Sequence, residues 1–102
     1  MRSDVAYREL IGRVVASKAQ ILGRAAFTKI ADLPGLVVDV DGGRVTVEGD
    51  PFVVLTLVCD RYRAVTGLIS DTTTKRIIHE SKLLERFPGL DLPTELSASR
   101  GR

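Results

Sequence analysis

Three places in the sequence carry residue types that do chemistry. His79 is the only histidine, with Glu80 beside it and Lys75, Arg76, Lys82 and Glu85 within a few positions. An imidazole acts as a general base when a second group orients it and a substrate or nucleophile lies within hydrogen-bond reach. No neighbour is singled out for that role, so His79 is expected as a surface or half-buried structural residue. Cys59, the only cysteine, ends the apolar run 52–59. A reactive thiolate needs positive charge or a helix start beside it, and Arg61 and Arg63 are the sole hint of either. The expectation is an inert thiol packed as a small apolar group. Without a Cys/His cluster the chain supplies no zinc set.

The third place is Asp39-Val40-Asp41-Gly42-Gly43, which begins like a calcium loop. The pattern then fails: Gly43 stands at the fifth position, Arg44 where the sixth requires glycine, and Asp50 where the twelfth requires glutamate. Turn formation explains these residues without a cation. Gly42-Gly43 lacks the Gly-Lys-Ser/Thr ending of a phosphate-cradling loop, and no Gly-x-Ser-x-Gly element is present. The reading is therefore of a non-enzymatic protein with no cofactor and no metal.

Composition bounds the rest. With 102 residues, 44% of them hydrophobic and 27% charged, the chain suits one folded domain. Folding would bury roughly 65% of the unfolded surface, enough for one modest core. Charged residues interrupt every candidate for an apolar run of about 18 residues, so no spanning helix is expected. The start, Met1-Arg2-Ser3-Asp4, lacks the apolar stretch of a secretion signal, and one unpaired cysteine suits a reducing compartment; the expected location is the cytoplasm. The net charge of +2 is too small to imply nucleic acid by itself. Its distribution is uneven, because residues 1–31 carry a net +4 and residues 32–50 a net −4. A basic helix beside an acidic hairpin can attract itself, or a second copy.

The elements follow from punctuation and period. Asp4 is a reasonable N-cap for one long helix over residues 5 to about 31, ended by Pro34-Gly35. Residues 36–39 and 45–48 alternate or are β-branched around Asp41-Gly42-Gly43, a hairpin signal. Asp50-Pro51 reads as an N-cap followed by proline at the first helical position, opening a helix that runs to about Thr66 and stops at Gly67. A buried strand over 52–59 is the competing reading, since that run is strongly β-branched. Ser70 or Asp71 is expected to cap a third helix reaching about Phe87, with Pro88-Gly89 after it. The fold class is α+β: a long N-terminal helix, a two-stranded antiparallel β-hairpin, and two further helices packed on the first. Residues 1–89 form the single domain and 90–102 a loosely docked, flexible tail.

The strongest feature is a stripe of small residues on the first helix. Gly12, Ala16, Ala19, Gly23 and Ala26 fall within a sector of roughly 80°. Each internal glycine costs a helix about 1 kcal/mol, so two on one stripe call for a compensating contact. Ile11, Val15 and Leu22 flank the stripe, and the helix carries more apolar arc than a single surface helix needs. Both features point to a homodimer, with Ile11, Gly12, Val15, Ala16, Ala19, Leu22, Gly23 and Ala26 as its interface. The leading functional expectation is a non-catalytic, cytoplasmic interaction or regulatory module that works as a homodimer and serves an unidentified protein partner, with no membrane contact. The order of elements is shared by many small dimeric modules and identifies none.

Two other classes compete. Arg61, Arg63, Lys75, Arg76, Lys82 and Arg86, joined by Arg100 and Arg102, would suit phosphate contacts to nucleic acid. However, Asp60, Asp71, Glu80 and Glu85 are interspersed, and 5% aromatic residues disfavour stacking on single strands. The other is a small-ligand sensor with an apolar pocket between the 52–59 segment and the first helix, offering Thr56, Cys59 and Tyr62 as its polar groups.

Overall fold

The structure, a computed structural model, describes residues 1–97. It is α+β: α1 (Asp4–Leu22), a short turn α2 (Ala25–Thr28), a hairpin of β1 (Leu36–Asp39) and β2 (Arg44–Val47), α3 (Pro51–Thr66), α4 (Ile69–Glu80), and two four-residue turns, α5 (Leu83–Arg86) and α6 (Thr94–Ser97). Helices α1, α3 and α4 pack together. Tyr7 meets Phe52 edge-on near the starts of α1 and α3, with ring centroids 5.3 Å apart, and Lys18 reaches Tyr62 near their ends. The two helices therefore run parallel, and Leu10, Ile11, Val14, Leu55 and Val58 fill the space between them.

The helix α3 keeps both expected ends. The Asp50 carboxylate accepts from the Phe52 N–H at 2.9 Å, Pro51 occupies the first turn, and Gly67 closes the last. The cap and proline thus decide the 52–59 ambiguity for helix, and its β-branched residues are absorbed by burial of Val54 and Val58.

The first helix is shorter than expected. Ser3, not Asp4, caps it, its hydroxyl accepting from the Ala6 N–H at 3.2 Å, while Asp4 adds favourable negative charge to the first turn. The helix ends at Leu22 because Gly23 takes φ +60°, a left-handed conformation open chiefly to glycine. The bend turns Ala26 inward, where its carbonyl accepts from the buried Tyr62 hydroxyl at 2.6 Å. Gly23 and Ala26 are thereby taken off the α1 stripe.

In the hairpin, Leu36 pairs with Val47 and Asp39 with Arg44, so β2 starts one residue earlier than expected. The Asp39 carboxylate accepts from the Gly42 N–H at 2.9 Å, making the turn. Leu36, Val38, Val45 and Val47 face the core.

The expected third helix is divided. Ser70 and Asp71 do not cap it; both are buried within the first turn of α4, where Asp71 accepts from Arg63 at 2.7 and 3.0 Å. The helix stops at Glu80, Lys82 takes φ +56°, and α5 follows. Continuous helix would point Leu83 roughly 140° away from Ile78; the break instead rotates Leu83 into full burial.

The first part of the expected tail is packed. Leu90, Pro93 and Leu96 are buried, Tyr7 donates its hydroxyl to the Asp91 carbonyl at 2.6 Å, and the Asp91 N–H reaches the Met1 carbonyl at 2.7 Å. Residues 98–102 of that tail, with Arg100 and Arg102, lie outside the described residues.

Candidate functional site

Of the eight residues expected at a dimer interface, the fold divides the set. Ile11 and Val15 point into the chain's own core, as does Ala26. Ala19 and Leu22 are half-buried, and Gly23 is exposed beyond the helix end. Gly12 and Ala16 remain on the outer face of α1, exposed. Val5, Gly12 and Ala19 recur every seven residues, with Ala16 one turn beyond Gly12, so they form one shallow strip. A methyl group placed on Gly12 would meet nothing within 4 Å. No neighbouring atom within the fold requires glycine there.

Gly12 and Ala16 of this strip, with the edge of Val15, form one wall of a cleft of about 510 Å³, whose other walls include Phe27, Val37, Arg44, Val45 and Thr46. This cleft runs along an open strand edge. The Glu48 N–H bonds the Gly35 carbonyl at 2.8 Å, which fixes the ladder parity. By the alternation of an antiparallel pair, Val45 and Val47 turn their N–H and C=O groups outward from β2. The Val47 carbonyl accepts from the Arg8 guanidinium at 2.6 Å. The outward backbone groups of Val45 have no partner among the described residues. A cleft with a nearly side-chain-free wall on one side and unpaired backbone on the other admits another backbone at close range.

Charge around the cleft is largely matched within the chain. Glu9 accepts from Arg13 at 3.0 Å and from Arg86, and these bonds hold its carboxyl below the usual carboxylate range. Arg24 pairs with Asp41 at 2.9 Å across to the hairpin. The opposed charges of the N-terminal segment and the hairpin thus meet in part inside one protomer.

The expected ligand pocket is not formed by its three residues. The Thr56 hydroxyl donates to the Phe52 carbonyl at 3.0 Å and the Tyr62 hydroxyl to Ala26, so both are occupied by backbone. Cys59 is buried, and burial, with the Asp71 carboxylate adding to it, pushes its thiol up to about 12. That is the opposite of an activated nucleophile.

Beside Cys59 lies a residue that sequence reasoning missed. Lys18 is 2% exposed, with its ammonium 5.7 Å from the Tyr62 ring centroid. Burial lowers its pKa, and attraction to the Asp71 carboxylate offsets this only in part. No acidic group forms an ion pair with it among the described residues. Its position was legible: it stands seven residues after Ile11 and three after Val15, on the buried stripe. The clefts lined by Gly12, by Arg13 and by Lys75 all exclude Lys18 and Cys59 from their walls.

The six basic residues of the nucleic-acid alternative are not brought into one free patch. Arg61 pairs with Asp32 at 2.6 Å, and Arg63 with Asp71 at 2.7 Å and Asp60 at 2.8 Å, which raises the pKa of its guanidinium. Arg86 is held by Glu9. Lys75, Arg76 and Lys82 carry no ion pair among the described residues, and Lys75 and Lys82 stand on either side of exposed His79. Among the described residues no group of three His, Cys, Asp or Glu side chains is placed to hold a metal ion, and no helix is long and apolar enough to cross a membrane. Comparison of the chain with protein-family models, curated proteins and solved structures finds no match.

Proposed function

We propose that this protein is a non-catalytic interaction module that assembles as a homodimer through the outer strip of α1 and the adjoining edge of β2. The observation that carries the reading is Gly12. It sits mid-helix, exposed and untouched, at a helical position where alanine would be more stable by about 0.5–1 kcal/mol. Close approach of a second backbone supplies the missing reason for glycine. Exposed Val5 and Val37, at 67% and 50%, extend the apolar area toward what a stable interface requires. A two-fold arrangement places the same patch on both copies, strip against strip. The dimer then serves a further protein partner as a regulatory or adaptor element, in the cytoplasm, where a buried unpaired thiol persists.

Paired arginines at Arg61, Arg63 and Arg86 speak against nucleic acid as the main partner. The test is disulfide trapping. Cys59 is buried and inert, so Ala16→Cys introduces the one accessible thiol among the described residues. Mild oxidation should give a covalent dimer on a non-reducing gel, while Thr72→Cys, on exposed α4 surface, stays monomeric. Equal trapping by the two variants overturns the reading.

A further inference from the structure

The faces away from the dimer strip contain a second cleft, of about 280 Å³, between α4, α5 and the C-terminal segment. Its floor is apolar: Ile78, Leu84, Leu92 and Leu96. Its rim carries Lys75, His79, Lys82 and Glu85. Lys75, Ile78 and His79 lie at i, i+3 and i+4 on α4, and Lys82, just past the end of that helix, adds a third basic side chain to the rim.

Two observations separate this cleft from an ordinary surface depression. The first is charge. Elsewhere most of the described arginines are engaged by carboxylates: Arg13 and Arg86 with Glu9, Arg24 with Asp41, Arg44 with Asp39, Arg61 with Asp32, and Arg63 with Asp60 and Asp71. Arg8 bonds the Val47 carbonyl, and Lys18, Lys29 and Arg76 form no ion pair among the described residues but line no wall of this cleft. Lys75 and Lys82 have no anionic partner among the described residues, although Glu85 shares their rim. The second is backbone conformation. Lys82 is the only residue other than glycine with positive φ among the described residues. A residue with a Cβ is disfavoured there, and the same break that buries Leu83 carries the Lys82 side chain to the rim of this cleft.

We propose that this cleft binds a small amphipathic anion: a free fatty carboxylate whose chain lies on Ile78, Leu84, Leu92 and Leu96 and whose head is held by Lys75, His79 and Lys82. A hydrophobic floor with few polar groups placed at its rim is the general form of a small-molecule site, and the volume lies near the lower bound for such sites. At about 30 Å³ per water-sized group, the space holds roughly nine such groups, which matches octanoate. The unpaired lysines supply the charge complementarity, and a polar head alone would leave the apolar floor unused.

The probe is octanoate, followed by amide chemical-shift mapping of the full chain at low salt. Shifts should centre on Lys82, Leu92 and Leu96. Affinity should rise about three- to fourfold per methylene from hexanoate to octanoate, and 1-octanol, which lacks the anionic head, should bind at least threefold more weakly. Lys75→Gln should weaken octanoate about two- to fivefold, as expected for a partly exposed charge contact. Lys82→Gly removes the second ammonium while relieving the backbone, so it should lower affinity and leave the melting temperature unchanged or higher; folding failure therefore cannot account for that loss. The proposal is overturned if octanoate at millimolar concentration shifts nothing in the cleft, if octanol binds as well, if Lys82→Gly binds undiminished, or if the chain binds anionic phospholipid vesicles through this face while ignoring free octanoate.

Discussion

Replacing Gly12 by alanine should have opposite effects on the single protomer and on the dimer. In the protomer the added methyl meets no atom within 4 Å, so nothing offsets the helix-propensity gain of about 0.5–1 kcal/mol. For a chain of this length that raises the melting midpoint by roughly 2–6 °C. In the dimer the same methyl sits where two backbones approach, and helices held apart lose contact along the whole strip rather than at one atom. A tenfold weaker dimer corresponds to about 1.4 kcal/mol per dimer, comparable to the summed gain of about 1–2 kcal/mol in its two protomers. Because dimerisation stabilises the folded chain by mass action, the wild-type midpoint should climb with protein concentration. Scanning fluorimetry or calorimetry over a hundredfold concentration range should therefore show the variant melting above wild type when dilute, with the difference shrinking or reversing when concentrated. Gly12→Leu should flatten the concentration dependence altogether. If Gly12→Ala raises the midpoint equally at every concentration, the glycine is merely a weak helix former and the reasoning fails.

Three further outcomes follow from the interior. Lys18→Met should stabilise the chain by about 1 kcal/mol in urea unfolding at neutral pH, because burial of an ammonium without an ion-pair partner exceeds its attraction to the Tyr62 ring. Since folding lowers the Lys18 pKa, the unfolded chain binds that proton more tightly; the handicap is full below the folded pKa and disappears as pH rises toward 10.5, so the advantage of methionine should fade over that range. Folding raises the Cys59 thiol from 9.0 to about 12, so its contribution is complete below pH 9 and lost as pH climbs through the folded value. Between about pH 8 and pH 10.5 wild type should lose about 2 kcal/mol that Cys59→Ala does not lose, at 1.36 kcal/mol per unit. Tyr7→Phe removes the hydroxyl that holds the Asp91 carbonyl; stability should fall by about 1 kcal/mol, and hydrogen exchange should quicken at Leu90 and Leu96.

Legibility in the sequence followed the punctuation. Asp50, Pro51 and Gly67 encode both ends of α3 through local backbone chemistry, and Asp41-Gly42-Gly43 places the hairpin turn; neither needs tertiary information. Gly23 was ambiguous because glycine is both the smallest residue and the one that tolerates positive φ. Read for size it extends the stripe, whereas in the fold its conformation ends α1. The break at Lys82 has no local signal, since neither glycine nor proline marks it; burial of Leu83 decides it, and that is a tertiary demand. The candidate pocket failed for a similar reason. Thr56 and Tyr62 are polar groups on an apolar helix, but their hydroxyls serve nearby carbonyls. The burial of Lys18 was readable from its spacing after Ile11 and Val15. For Arg61 and Arg63, the nearby Asp60 and Asp71 already signalled pairing within the chain, although Asp32, the partner of Arg61, lies 29 residues away.

Sedimentation velocity of the wild-type chain at tens of micromolar tests the central claim most directly. A species of twice the 11.1 kDa protomer mass, reduced to one chain by Gly12→Leu, is the predicted result. A wild type that sediments as a single protomer throughout that range contradicts it.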